Sequence, residues 1–360
     1  MRRENAPSGP SLYVRLAVVT RRIRAIRDRL RGHGGFDALP LPDQVGEMEV
    51  LAHRPVIFEP EQLDRVITCG FDGNRAVEFA KLRETSFTGT PAERYRLGES
   101  IIIGGTLITR GSRHILRGMS ELGSLIAKLT VYDRATLVNS QQGLHYFGHW
   151  LRDDCTLYEA VKNEPNLLSV KRPDWPDRHY YEAGFGQAWT ETRFAHVGDL
   201  TVWRDMSYSA DKACRMQGLR ARLRKAVAGR GGGKIIYISR GEKGEPRNMS
   251  NAAAFEFAMR EAGVEIVDPG NVGAAILDAR MIIAIEGSHA CHGVYALAEG
   301  GSFLIIQPPE RFYNPLRNWT SLLGLNYGIV VGQKDATSFT VNPDEVLRMV
   351  DRLLALSSGV

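Results

Sequence analysis

From Lys234 onward the chain alternates short apolar runs with segments of helical spacing, and no other feature restricts its fold as much. Residues 234–238, 264–267, Met281–Ile285 and 302–306 have the length and branching of buried strands. Between them, 250–262 opens on a Ser or Asn cap and keeps a helical period, and 272–279 reads as a shorter helix. Strands alternating with helices over short connections predict a parallel, Rossmann-like sheet. Sheets of that kind bind ligands outside the carboxyl ends of their strands.

Two loops leave those ends. Glu286-Gly287-Ser288-His289-Ala290-Cys291-His292-Gly293 follows Met281–Ile285 and runs into a helix, a small-residue arrangement that lets backbone N–H groups approach an anion. Ser239-Arg240, with Arg247 and Asn248 closing the same loop, brings two arginines to the edge. Guanidinium groups match phosphate oxygens in bidentate fashion, although surface arginines without a ligand give the same pattern. Neither Gly-x-Gly-x-x-Gly nor a Walker motif occurs, which counts against a common dinucleotide site or a P-loop NTPase.

Upstream, 100–103 and 135–138 read as strands, followed by the loop Asn139-Ser140-Gln141-Gln142-Gly143 and a helix over 144–161. Residues four apart share a helix face, so His149 and Asp153 are neighbours and His145 stands one turn before. A carboxylate beside an imidazole can orient it or act as a base, and it can equally be a hydrogen-bonded pair of purely structural use. Residues 171–186, rich in Pro, Asp, Trp and Tyr, read as an irregular loop, and 215–227 as a strongly basic helix. Gly229-Arg230-Gly231-Gly232-Gly233 reads as a hinge or linker. Residues 12–31 form a basic amphipathic helix on their spacing, able to lie on an anionic membrane surface or to pack on its own domain.

A chain of 360 residues exceeds one ordinary core, so more than one domain is expected. Its net charge of +5 suits an anionic substrate or membrane surface, and also a merely arginine-rich exterior. Four cysteines without close pairing fit a reducing compartment better than a disulfide framework or a Cys-x-x-Cys zinc site. No apolar run reaches membrane-spanning length and no signal-peptide pattern is present, so a cytoplasmic location is expected. Nucleic acid has only the charge in its favour.

Three blocks, taken together, resemble glycosyltransferase family 61, which includes bacterial capsular and exopolysaccharide biosynthesis proteins. His149-Trp150-Leu151-Arg152-Asp153-Asp154 resembles the family's His-x-x-x-Asp helix start. Ser239-Arg240 with Arg247 and Asn251 is similar to its Ser-Arg…Arg-x-x-x-Asn block, and Gly287-Ser288-His289 to its Gly-x-His-Gly-Ala loop. The chain departs from that pattern at Ala290 (glycine in the family), at Ala252 and at Gln307 (acids in the family).

The resemblance implies an α/β protein of GT-B type, with two Rossmann-like domains facing a central cleft. On that reading 1–35 is the basic helix, 36–228 an acceptor-side α/β domain, 229–335 a nucleotide-sugar-binding domain and 336–360 a closing helix. It implies an inverting glycosyltransferase that moves a sugar from a nucleotide-sugar donor to a glycan or lipid-linked acceptor. Asp153, His149 and Asp154 become the catalytic candidates, with Asp153 preferred as base and His149 orienting it or serving instead. Ser239, Arg240, Arg247, Asn251, Gly287, Ser288 and His289 become the donor and diphosphate ligands. No Asp-x-Asp occurs, so no metal and no cofactor are expected, and arginines and the helix N-terminus after His289 would neutralise the leaving diphosphate. The protein would be cytoplasmic, peripheral at the membrane through 12–31. Two rival readings stand beside it: a zinc hydrolase using His145, His149, Asp153, His289 and His292, and a non-catalytic nucleotide-sugar or glycan-binding protein.

Overall fold

The computed structural model describes residues 41–109, 113–117, 129–206, 208–240, 247–268, 270 and 272–357. The predicted helix at 12–31, and Gly241 to Pro246 of the arginine loop, lie outside them. The chain is α/β, and it divides into two compact units that are each discontinuous in sequence. Within the described residues the first takes 41–47, 91–174 and 188–206, and the second takes 48–90, 175–187 and the rest from 208. Among the described residues no helix is long and apolar enough to cross a membrane.

The first unit is built on a mixed eight-stranded sheet. Thr190–Thr192, Leu167–Val170, Thr130–Leu137 and Phe194–Arg204 lie side by side and parallel. Phe194–Arg204 then pairs antiparallel with Ala92–Ile103, which turns back into Thr106–Ile108 and Arg113–Ile115. Only the parallel half is Rossmann-like, with a helical connection from Thr130–Leu137 to Leu167–Val170. The other half is a meander because Gly104-Gly105, with φ of 51° and 85°, makes a two-residue hairpin turn too short for a parallel crossover. Ile102, Leu107, Leu137, Leu168, Val197 and Val202 fill the core of this unit.

The second unit holds six parallel strands in the order Glu265–Val267, Ile235–Ile238, Met281–Ile285, Ser302–Gln307, Asn326–Val331, Val56–Ile57. Counted from Ile235–Ile238, the first five follow the doubly wound order 2-1-3-4-5. Strand order therefore reverses between Ile235–Ile238 and Met281–Ile285, and the crevice at their carboxyl ends is where such sheets take ligands. Helices Ala252–Glu261 and Pro343–Ser357 supply Phe255, Met259, Val346, Met349 and Leu353 to a core shared with Tyr237, Ile283 and Leu304. Deleting a buried ring such as Phe255 in a core of this kind costs about 3–5 kcal/mol.

Two expectations about this unit change. Gly229 to Gly233 is not a hinge but a packed strap inside the unit: Arg230 and Gly231 donate backbone N–H groups to Ala274 and Leu277 carbonyls, and a Cβ on Gly231 would lie 2.7 Å from the Ile276 carbonyl carbon. Gly229 and Gly231 allow close backbone approach, while Gly233 holds a positive φ of 70°. The stretch 171–186 is not simply a loop either, because Arg178–Phe185 is a helix with Tyr181 and Phe185 buried. It ends on Gly186 in the left-handed region, with Gly186 and Gln187 donating to Ala183 and Glu182 carbonyls in a Schellman closure.

The basic helix exists, as Ala210–Ala226 capped by Ser209. Arg220 and Arg224 use their guanidinium groups on the carbonyls of Val294, Tyr295, Ala296 and Leu297, at the carboxyl end of the helix His292–Ala296. Cations satisfy unpaired carbonyls and the negative helix end there. Burial, with Arg224 alongside, brings Arg220 down to about 10.

Candidate functional site

In the first unit the loop after Thr130–Leu137 turns through residues 141–145, and the helix starts only at Phe147. His145 is therefore exposed in the turn rather than one helical turn before His149. From Trp150 to Asp154 the helix widens to π geometry, the Cys155 N–H reaching the Trp150 carbonyl. Such widenings are frequent at functional sites. Thr156 supports this one by donating its hydroxyl to the Arg152 and Asp153 carbonyls.

The widened turn separates the two adjacent carboxylates. Asp153 Oδ2 meets His149 Nδ1 at 2.8 Å and Arg152 Nη2 at 3.1 Å, while Arg152 Nε reaches Asp153 Oδ1 at 3.3 Å. Asp153 is 1% exposed and the His149 side chain 30%. Arg152 Nη2 also stands 2.9 Å from His149 Nδ1, but it donates to Asp153 Oδ2 as well. An ionised carboxylate only accepts, so with Asp153 ionised the closer Nδ1 contact is assigned the proton and Nε2 is left as the basic nitrogen. His149 is thus the accessible member of the pair, and Asp153 holds its Nδ1 side.

Asp154 points the other way. Its Oδ1 accepts from the Ser140 backbone and hydroxyl, at 2.9 and 2.7 Å, and the Ser140 hydroxyl in turn accepts from the Gly143 N–H. Its Oδ2 is buried with no hydrogen-bond partner among the described residues, packed where a Cβ on Gly143 would sit 2.3 Å away. Burial pushes this carboxyl up to about 7, against the Ser140 hydrogen bonds and the Arg172 charge. Asp154 braces the loop that leads into the helix. Arg172, which sequence reading passed over, is fully buried with its guanidinium 4.3 Å from the Trp189 ring centre and 5.5 Å from that of Trp150.

In the second unit, the two loops at the strand-order reversal meet. Arg240 Nη1 lies 3.1 Å from His289 Nδ1. Gly287, at φ 151°, makes the approach possible, since a Cβ there would fall 2.6 Å from Arg240 Nη1. Burial and the charges of Arg240, His292 and Arg247 hold His289 well below the usual histidine range, so its ring is neutral. Because Arg240 donates to Nδ1, the ring proton belongs on Nε2, which is buried and has no partner among the described residues. The Arg240 guanidinium and a buried His289 N–H thus stand together in the loops that follow the two strands of the reversal, and Ser288 beside them is exposed.

The other expected donor ligands are placed differently. Arg247 Nε donates to Glu286 Oε2 at 3.0 Å, and Arg311 Nε approaches the same oxygen at 3.3 Å, so the charge of Arg247 is paired. Asn251 is turned to the Val341 backbone, donating to its carbonyl and accepting its N–H. Ser239 pairs its backbone N–H with the Val267 carbonyl at the strand end. The helix after His289 has only five residues, His292–Ala296, behind a 3-10 turn, so its dipole is a weak anion anchor.

The departure at Gln307 has a structural reason, and nothing in the structure explains the one at Ala290. Ala290 is fully buried. Gln307 donates to the Tyr313 carbonyl and Asn314 Oδ1 and accepts the Tyr313 N–H, a mixture of roles that an ionised acid could not fill. Ala252 opens the helix Ala252–Glu261 directly after Asn251.

No family model matches this chain, and no curated protein matches it. The geometry therefore carries the functional reading by itself. His292 has Tyr181 Oη 2.7 Å from Nδ1 and Asp177 Oδ2 3.4 Å from Nε2. Among the described residues no three His, Cys, Asp or Glu side chains gather as a metal-binding group. Sequence reading missed Glu286 and Arg311, although an acid at the end of a buried strand, beside an arginine-rich loop, was a usable signal.

Proposed function

We propose that this chain is an inverting glycosyltransferase of GT-B type, transferring a sugar from a nucleotide-sugar donor to a hydroxyl of a glycan or lipid-linked acceptor in polysaccharide biosynthesis. The observation that carries this reading is the meeting of Arg240 and His289 at the strand-order reversal of a 2-1-3-4-5 sheet. A cationic fork beside a neutral N–H donor is suited to the oxygens of a diphosphate, and the crevice position is the one open α/β sheets use for nucleotides.

Each unit is read by itself, the first for a base and the second for the diphosphate. In the transfer the acceptor oxygen bonds to the anomeric carbon as a base takes its proton, and His149 Nε2, oriented by Asp153 through Nδ1, is the candidate for that base in the first unit. The bond from that carbon to the diphosphate oxygen breaks with inversion, and Arg240 with His289 stabilises the charge on the departing nucleoside diphosphate. A positioned base contributes roughly 100- to 10,000-fold to such a step. Arg247, Glu286 and Arg311 act as a charge-paired support for the Gly287 loop, and Asn251 and Asp154 support local structure.

The test is a thermal-shift screen of the full chain against nucleotide sugars and nucleoside diphosphates, followed by assay of nucleoside diphosphate release with saccharide acceptors. A ligand that binds the native state raises the melting temperature, by an amount that grows with its concentration over Kd. The reading fails if no nucleoside diphosphate or nucleotide sugar shifts the transition.

A further inference from the structure

The same carboxyl edge of the second unit carries an aromatic side chain that Arg240 and His289 do not explain. Phe71 is 62% exposed, and both Phe71 and Asp72 hold left-handed backbone, with φ of 55° and 54°. Non-glycine residues seldom take that conformation, and two in succession persist only where the surroundings impose them. The surroundings here are the loop after Ser302–Gln307. Ile67 donates to the Pro309 carbonyl at 2.7 Å, Gly70 to the Phe312 carbonyl at 3.1 Å, and Phe312 to the Thr68 carbonyl at 3.0 Å.

The ring is also fixed in orientation. Tyr313 meets it edge-on, with centres 5.0 Å apart and planes at 62°, and the Arg311 guanidinium lies 4.9 Å from its centre. Tyr313 is held in turn by both ends of the Gln307 amide. Arg311 Nε reaches Glu286, the residue before Gly287, so contacts run without a break from the Phe71 ring to the loop that carries His289. A solvent-facing aromatic, rigidly mounted beside a cationic group, suits a flat polar ring better than an aliphatic chain.

We propose that Phe71 is the stacking platform for the base of the nucleotide whose diphosphate is held by Arg240 and His289, with Arg311 and Tyr313 fixing its plane. This rests on the donor reading above and extends it from the phosphates to the base. Stacking is tolerant of base identity, so the platform supplies affinity for nucleosides as a class.

Calorimetric titration of the full chain with uridine diphosphate, guanosine diphosphate and inorganic pyrophosphate tests it. Phe71→Ala is expected to weaken both nucleoside diphosphates about 10-fold while leaving pyrophosphate unchanged, and Phe71→Trp to keep wild-type affinity. Arg240→Ala should weaken all three. If Phe71→Ala binds the nucleoside diphosphates as wild type does while Arg240→Ala loses them, the platform is wrong and the phosphate site stands. If the wild-type chain binds none of the three probes, the donor reading fails and the platform with it.

Discussion

His149 Nδ1 and Asp153 Oδ2 are 2.8 Å apart on a π-widened turn, with the carboxylate buried and the imidazole half-open to solvent. On the proposed reading Asp153 is the positioning residue and His149 the group that meets the acceptor. His149→Ala is expected to lower kcat by about 100- to 10,000-fold. Asp153→Asn should also lower kcat, because an amide no longer accepts as strongly and can present its NH2 to Nδ1, favouring the wrong tautomer. Donor binding should be unchanged in both, so titration with the nucleoside diphosphate separates this from misfolding. Wild-type turnover in Asp153→Asn would sink the assignment.

Arg240 and Arg247 were equivalent in the sequence and are not equivalent in space. Arg240 contacts a neutral ring, whereas Arg247 is paired with the nearly buried Glu286. Arg240→Ala should therefore cost donor affinity, at least about 10-fold for one charge-assisted contact. Arg247→Ala should cost stability, on the order of 3 kcal/mol, because it leaves Glu286 with one fewer cation in a dry setting. Paired measurements of Kd and chemical denaturation would distinguish the two, and the reverse pattern would overturn the division.

The parts that could be read in sequence are those governed by period. The runs around Ile235–Ile238, Met281–Ile285 and Ser302–Gln307 are buried on both faces, so continuous branched apolar residues marked them directly. The His149 and Asp153 pairing followed from spacing alone. What escaped depended on contacts distant in sequence. Val56–Ile57 is a two-residue strand with no period to detect, placed by pairing with Tyr327 and Gly328. The stretch 229–233 looked like a linker because composition cannot distinguish freedom from the close packing of Gly229 and Gly231 against Ile276 and Leu277. Asn251 is turned to the Val341 backbone, 90 positions away, a contact no local pattern announces.

Asp154 gives a pH dependence whose sign can be worked out. In the unfolded chain an Asp titrates near 3.9, and in the folded chain this one is raised to about 7. The folded state therefore binds the proton more tightly, and the stability it contributes is complete below about pH 4 and is lost as pH rises through about 7. Asp154→Asn removes the ionisation, so its melting temperature relative to wild type should climb between about pH 4 and 7 and level off above. Parallel melting curves of the two proteins across that range would show Asp154 ionised normally and refute the prediction.

Gly287 tests whether the loop geometry at the reversal point matters for binding or only for folding. Its φ of 151° belongs to a region that side chains avoid, and an added Cβ would fall 2.6 Å from Arg240 Nη1. Gly287→Ala should thus act twice, straining the backbone by about 1–3 kcal/mol and displacing the guanidinium. The displacement can be isolated with Arg240→Ala as background. If Arg240 is the group displaced, Gly287→Ala weakens nucleoside diphosphate binding in the wild-type chain and adds little once Arg240 is already gone, while its cost in melting temperature persists in both. A binding loss of the same size in both backgrounds would mean that the loop itself, and not the guanidinium it admits, holds the ligand.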